Sequence, residues 1–503
     1  MQDYEASVSF LGTWGPFQRR VFFLLCVTCI PCGYNILSVI FLLASPPHHC
    51  HIPTHSNLSQ QWIQASIPVQ VRTRARRLKE VNLFSLKQEG CKDGWTYSTE
   101  YYKHTVVTEF NLVCSDQWKQ PLTSLAYFLG GVCGCFFSGL ISDRFGRKPV
   151  LFGTIALLSI FSSAVALAPS WPVFIVLFFM LGLGQISCYV AMFVLGSEIL
   201  IGSSRVLFSS LGLPIAYGLG MMMLPCTAYL VSSWRQLALI MAIASFHPLY
   251  LSTSLIPESP RWLVSRGRVQ EADHLLRSAA LENLVDAPPV IFPSVEQSES
   301  HEVESFGFLD LLRTTNIRSI TLKLWFSISI SYYGVSFNLS SVSGSPFLNY
   351  FLLAAVELPA SIASWLAARS LPRYLSFIAF SLLPVPYHPD STLFLVLLGK
   401  FGVMAGNGVL YIYTGELSPT GIRTTAMSSC VMFSRVGSSL SPYLLQLGEP
   451  ACDITHLVSL VLFSIFLPET FRKPLPDTIY QMPPTQQYVY TLNNLQRRMN
   501  LPH

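Results

Sequence analysis

Gly139-Leu-Ile-Ser-Asp143-Arg144-Phe-Gly146-Arg147-Lys148-Pro149 separates two apolar runs, each long enough to cross a bilayer. A link this short cannot leave the membrane surface. With Arg144, Arg147 and Lys148 beside Asp143 and a turn-forming Gly146, it reads as a tight cytoplasmic junction, because short loops rich in Lys and Arg stay inside. That orientation sets the side on which every later loop falls.

The totals agree. Of 503 residues, 51% are hydrophobic and only 12% charged, and the mean hydropathy is +0.45, a composition foreign to soluble domains. The chain reads as an all-α, multi-pass membrane protein. A net charge of +5 is accounted for by cytoplasmic loops and implies no nucleic-acid partner. Met1 to Arg20 holds acids and Trp14-Gly15-Pro16 where a cleavable signal would need a basic start and small residues, so helix 1 is expected to be its own insertion signal.

Outward from the junction, six apolar helices are expected at about Val21–Leu43, Pro121–Ile141, Val150–Ala168, Pro172–Leu195, Val206–Val231 and Gln236–Ile256. Residues 1–20 form a cytoplasmic N-terminus, and 21–256 a first half that includes an extracellular loop over 44–120. That loop carries the sequon Asn57-Leu58-Ser59, the expected glycosylation site, and a solvated basic run, Arg72 to Lys79. A second sequon, Asn338-Leu339-Ser340, lies too close to a helix end for easy access. Residues 257–320 form a cytoplasmic loop with surface helices such as Val269–Leu281, 321–470 a second half, and 471–503 a cytoplasmic tail.

Helices 7, 8, 10 and 11 fall near Leu322–Val342, Phe347–Ala368, Thr392–Thr414 and Thr425–Leu447. Helices 9 and 12 are shortened, to about Tyr374–Val385 and His456–Leu467. Twelve helical residues rise about 18 Å, against a hydrocarbon core of about 30 Å.

An internal repeat divides the chain. Glu198 precedes Arg205 by seven residues after helix 4, and Glu416 precedes Arg423 by seven after helix 10. Pro257-Glu258-Ser259 after helix 6 is echoed by Pro468-Glu469-Thr470. Such parallel repeats are what two rocking halves leave in a sequence, and a carboxylate and an Arg at helix ends can lock those halves and release them. The second half is the shorter one: Glu198 to Glu258 spans 60 residues, Glu416 to Glu469 only 53.

The junction and the repeat resemble the major facilitator superfamily, which implies twelve helices in two six-helix halves with both termini cytoplasmic. Denser matches are to the organic ion transporters, and among them to the organic cation and carnitine subgroup. They are Met1-Gln-Asp-Tyr4, Phe10-Leu-Gly-Thr-Trp-Gly-Pro-Phe-Gln18, Gly90-Cys-Lys-Asp-Gly-Trp95, Asn111-Leu-Val-Cys114, Ile256-Pro-Glu-Ser-Pro-Arg-Trp-Leu263 and Leu475-Pro-Asp-Thr-Ile479. The resemblance implies a plasma-membrane carrier of organic cations and zwitterions such as carnitine. A non-transporting descendant of such a carrier is the alternative, on account of the short helices.

Arg435, within Met432-Phe-Ser-Arg-Val-Gly, sits mid-helix, where an unpaired guanidinium is expensive and is expected to face a cavity or a partner. The resemblance gives Arg at this position in carnitine and anion carriers and Asp in organic cation carriers. An Arg reads a carboxylate by a charge-assisted, often bidentate contact; the alternative is a structural pair with Glu357. Tyr189, Tyr229 and Tyr411 match cavity-lining positions of the subgroup, with Tyr413 nearby, and ring faces suit an onium that cannot donate hydrogen bonds. Gln185, four residues before Tyr189, shares its helix face and is placed to hydrogen-bond the substrate. Glu357 and Lys400 either pair as a gate or end their helices near the interface. Asp143, Arg144, Arg147, Glu198, Arg205, Glu416 and Arg423 are the remaining gating or structural candidates.

Twelve cysteines show no metal spacing; Cys26, Cys29, Cys32, Cys133 and Cys135 read as small packing residues. Cys50, Cys91 and Cys114 share the extracellular loop, where one disulfide at most leaves one thiol over. Na⁺ is the coupling ion that the resemblance makes possible. Cys32 and Cys188 weaken that expectation, since they stand where carnitine carriers have Asn and thiols are poor ligands for a hard ion. His48, His49, His51 and His55 have no helical metal spacing, and no nucleophile or acid/base constellation is visible, so an enzyme is not expected.

Overall fold

The structure is a computed structural model that describes residues 4, 7–51, 94–292, 324–339, 344–381, 393–417 and 423–446. Asn57, Cys91, the whole of helix 12 and the tail lie outside the described residues, as do the side chains of Glu416 and Arg423.

Eleven of the expected spans have a described helix. They are α1 (Pro16–Ile36, with the short Ser38–Leu42 behind it), α2 (Lys119–Phe145), α3 (Arg147–Ala166), α4 (Trp171–Ile199), α5 (Leu213–Leu230) and α6 (Trp234–Leu255). The second half supplies α7 (Phe326–Asn338), α8 (Pro346–Ala355 continued by Glu357–Ser370), α9 (Arg373–Ser381), α10 (Leu393–Leu417) and α11 (Arg423–Gln446). Among the described residues, seven helices are long and apolar enough to cross a membrane by length and composition.

Helix neighbours repeat with a period of six. In the first half α1 packs on α5, and α2 and α3 pack on α4; in the second α7 packs on α11, and α8 and α9 pack on α10. The halves meet through α2 against α11 and α5 against α8, two contacts that the same exchange interchanges. The duplicated Glu and Arg in the sequence therefore mark a duplicated bundle.

Glycine makes the crossings close. A Cβ on Gly33 would lie 2.0 Å from Tyr217 O and one on Gly220 2.1 Å from Ile30 O, so α1 and α5 touch backbone to backbone. Gly130 and Gly182 do the same for α2 and α4, at 2.1 Å from Phe179 O and 2.0 Å from Tyr127 O. Between helices in lipid, where burial of apolar surface gives little, close van der Waals approach at small residues supplies the association. The second half crosses more loosely, with Gly437 at 2.6 Å from Phe326 O and Gly408 at 2.5 Å from the Ser364 hydroxyl.

At the outer face, β1 (His48–Cys50) pairs antiparallel with β2 (Trp95–Tyr97), bringing the two ends of the long loop together. Cys50 is disulfide-bonded and Cys114 is free, in line with one pair and one spare thiol. Arg235 clamps the loop to the bundle by holding Glu109 at 2.6 Å, with Trp234 Nε1 donating to the same carboxylate at 2.7 Å. Against a desolvation that opposes it, these donors keep the Glu109 carboxyl below the usual carboxylate range.

The expected surface helix is present as Val269–Asn283 and grips the start of the chain. Asn283 Oδ1 accepts from Phe17 N–H at 2.8 Å, its Nδ2 donates to Leu11 O and Gln18 Oε1, and Arg20 forms a fork with Glu282.

Candidate functional site

The α2–α3 junction turns at Gly146, whose φ of 110° favours glycine and where an added Cβ would lie 2.5 Å from Glu258 Oε2. Glu258 accepts from the backbone N–H of Arg147 (3.0 Å), Lys148 (3.1 Å) and Ser259 (2.9 Å), an acid seated on the exposed donors of the α3 N-terminus. Arg147 is buried and spans three elements: NH2 to Glu198 Oε1 at 3.1 Å, NH1 to Asp143 Oδ1 at 2.8 Å and NH1 to Ser142 O at 2.8 Å. Glu198 is thus held by Arg147, while Arg205 Nε donates to Leu200 O at 3.0 Å. Arg144 lies exposed over the ring of Phe145. Asp143, Arg147 and Glu198 belong to the first half and Glu258 opens the loop that follows it, so this cluster ties that half together and anchors the loop to it.

Arg435 lies midway along α11, facing the first half. NH1 donates to Tyr333 OH on α7 at 3.0 Å, and its buried Nε has no partner. The phenols of Tyr217 on α5 and Tyr411 on α10 lie within its electrostatic range, together with Cys135 on α2. Tyr189 on α4 meets Tyr217 edge to face at 5.4 Å, Tyr411 meets Trp325 at 4.4 Å, and Phe128 on α2 meets Tyr333 at 4.7 Å. Both halves therefore surround one guanidinium with aromatic rings, and among the described residues no carboxylate pairs with it.

Glu357 is not that missing partner. It pairs with Lys400 at 3.2 Å in a second buried cluster, where the two side chains are 1% and 0% exposed. Tyr332 OH donates to Glu357 Oε1 at 2.6 Å, Lys400 donates to Ser336 Oγ at 2.9 Å, and Nζ lies 3.1 Å from the centre of the Tyr332 ring. In this structure Glu357 therefore pairs with Lys400 and not with Arg435, and both side chains are buried instead of lying at a membrane surface. The clusters adjoin through Tyr332 and Tyr333, whose rings are 5.0 Å apart. Glu357 and Lys400 compensate each other, which leaves Arg435, among the described residues, with no compensating carboxylate.

Gln185 and Tyr229 depart from the expected cage. Gln185 is fully buried and its Nε2 donates to Cys32 O at 2.9 Å, tying α4 to α1, while its Oε1 has no partner. Tyr229 is 72% exposed, near the outer end of α5, and stands edge-on to Phe347. Twelve residues of helix separate it from Tyr217, about 18 Å of rise, so it cannot share the Arg435 cage in this conformation. It belongs instead to an aromatic closure in which Phe41 meets Phe347 and Tyr350 across the two halves.

Tyr333, Tyr217, Tyr332 and Ser336 escaped the sequence reading. The available signal was Ser331-Tyr332-Tyr333 on α7, with Tyr332 and Ser336 one helical turn apart.

Comparison with known proteins follows the same lines. Residues 84–365 match the family model described as sugar (and other) transporter. The chain is 41% identical to the Homo sapiens protein named organic cation/carnitine transporter 2, over 96% of this chain and 94% of that one. It is 40% identical to solute carrier family 22 member 4 of Mus musculus, over 96% and 95%. Among solved structures it is similar to the E. coli xylose transporter in a partially occluded inward-open conformation, with a TM-score of 0.60 at 14% identity, covering 91% of this chain and all of that one. A human organic anion transporter of 14% identity superimposes with a TM-score of 0.54, covering 90% and 99%.

Proposed function

Because the chain belongs to solute carrier family 22 of the major facilitator superfamily, a family of multi-pass plasma-membrane carriers, we propose that it moves organic cations and small zwitterions such as carnitine by alternating access. The observation that carries the zwitterion is the buried guanidinium of Arg435, which has a free donor and no described carboxylate partner.

Arg435 binds the acid end of the substrate by charge-assisted hydrogen bonds, while Tyr189, Tyr217, Tyr333 and Tyr411 offer ring faces and edges around the onium end. The rings come from both halves, so a bound substrate bridges them, and its binding energy biases the closure of one half on the other. The Arg147 cluster keeps the first half rigid during that motion. Glu357 and Lys400 tie α7, α8 and α10 in the second.

Sodium fits poorly at Cys32 and Cys188, which are fully buried free thiols. A hard cation requires oxygen donors, and sulfur is a poor substitute. No step is assigned to sodium, and uptake is expected to be unchanged when potassium replaces it.

The test of this reading is a selectivity change. Removing the Arg435 guanidinium should penalise carnitine and spare tetraethylammonium, which has no acid for it to bind.

A further inference from the structure

At the outer end the two halves meet around one ring. Phe347, in the first turn of α8, is buried and stands 6.0 Å from Phe41 beyond α1, 5.6 Å from Tyr229 on α5 and 5.4 Å from Tyr102. Phe41 and Tyr229 belong to membrane-spanning helices. Tyr102 does not: it lies in the extracellular loop, between β2 and α2. The residues that follow it fasten this stretch of loop to the first half. His104 O accepts from Trp234 N–H at 3.1 Å, and Val106 and Val107 are fully buried. Arg235 holds Glu109 at 2.6 Å together with the carbonyls of Ala166 (2.7 Å) and Ala168 (2.8 Å) at the end of α3. The loop stretch therefore travels with the first half, while Phe347 travels with the second.

We propose that Tyr102 is the loop's member of the outer gate, a ring that holds the outward-closed form by packing on Phe347. This rests on the alternating-access reading, in which the halves part at this end to admit substrate from outside. The contacts of Phe347 with Phe41, Tyr102 and Tyr229 all run between the halves, so all three must break for that opening. Aromatic pairs contribute beyond the area they bury, and a contact present only in the closed form shifts population toward it. The loop is thus part of the moving machinery, and a change in how it packs on the first half changes how often the carrier opens outward.

The test is hydrogen–deuterium exchange of the purified full chain, without substrate, read by mass spectrometry over the first segment of α8, residues 346–355, and over the loop stretch 104–110. Slow amides in 346–355 report opening of the outer end. Tyr102→Ala should speed their exchange by about 2- to 12-fold, the equivalent of one lost ring pair, while 104–110 exchanges as in the unmodified chain. Tyr102→Leu, which keeps apolar bulk without a ring, is the second variant and should also speed it. Tyr102→Phe keeps the ring and should match the unmodified chain, as should Tyr101→Ala, which removes the exposed neighbouring ring. Phe347→Ala should speed exchange more than Tyr102→Ala does, and adding Tyr102→Ala to it should change little, because the partner ring has already gone. Unchanged exchange over 346–355 in Tyr102→Ala and Tyr102→Leu, or faster exchange confined to 104–110, overturns the proposal. No carnitine enters the measurement, so a chain that opens as expected yet takes up no carnitine would sink the substrate assignment and leave the gate standing.

Discussion

Replacing Arg435 by Ala should change which substrates the carrier prefers, by an amount that the structure bounds. One donor of the guanidinium is occupied by Tyr333 OH, while the buried Nε has no partner and is available to a carboxylate. A hydrogen bond to a charged group contributes about 1.5 to 3 kcal/mol, which corresponds to about 10- to 160-fold in affinity. Carnitine affinity should fall by that factor, whereas tetraethylammonium, with no acid to lose a partner, should hold or improve. Tyr333→Phe removes only the hydroxyl that holds NH1, and should weaken carnitine far less than Arg435→Ala does. The assay is competition of each compound against labelled uptake in cells expressing each variant, normalised to surface protein by biotinylation. A structural role alone would lower both substrates together through poor delivery. A well-delivered Arg435→Ala that keeps the carnitine to tetraethylammonium ratio of the unmodified chain refutes the reasoning.

Glu357→Gln or Lys400→Met leaves its buried partner uncompensated, at a cost of about 3 to 5 kcal/mol, and should lower the thermal midpoint in detergent. The double variant Glu357→Gln with Lys400→Met should recover much of it, and a double variant as unstable as the sum of the singles contradicts the pairing. Gly33→Ala places a Cβ 2.0 Å from Tyr217 O and should abolish surface delivery, whereas Gly139→Ala, with nothing within 4 Å, should be delivered normally; equal delivery contradicts the close α1–α5 crossing. Carnitine uptake at equal ionic strength should be the same in sodium and in potassium medium, and a several-fold loss in potassium would show that sodium is bound in spite of Cys32 and Cys188.

The architecture was legible because a bilayer imposes its thickness on sequence. Long apolar runs separated by charged junctions can hardly be anything but spans, and the duplicated Glu and Arg at seven-residue separation betrayed the repeat seen in the helix neighbours. Arg435 was legible for the same reason, since a guanidinium mid-span costs too much to be incidental. Its surroundings were not. Tyr333 becomes its partner only through the crossing of α7 and α11, which depends on how closely Gly437 lets the backbones approach, and no local pattern encodes that approach. Glu357 finds Lys400 43 residues away, on a helix two further along. Tyr229 looked equivalent to Tyr189 as a residue type in a span. Its depth along α5 separates them, and places it in the outer aromatic closure.

Labelled carnitine uptake by the full chain, purified and reconstituted in liposomes, tests the central claim most directly. The account predicts saturable, time-dependent accumulation above protein-free liposomes, competed by unlabelled carnitine and by tetraethylammonium, and lost selectively for carnitine in Arg435→Ala. A monodisperse, correctly inserted chain that accumulates neither compound would contradict it, and would mark the protein as one that keeps the carrier fold without carrying these substrates.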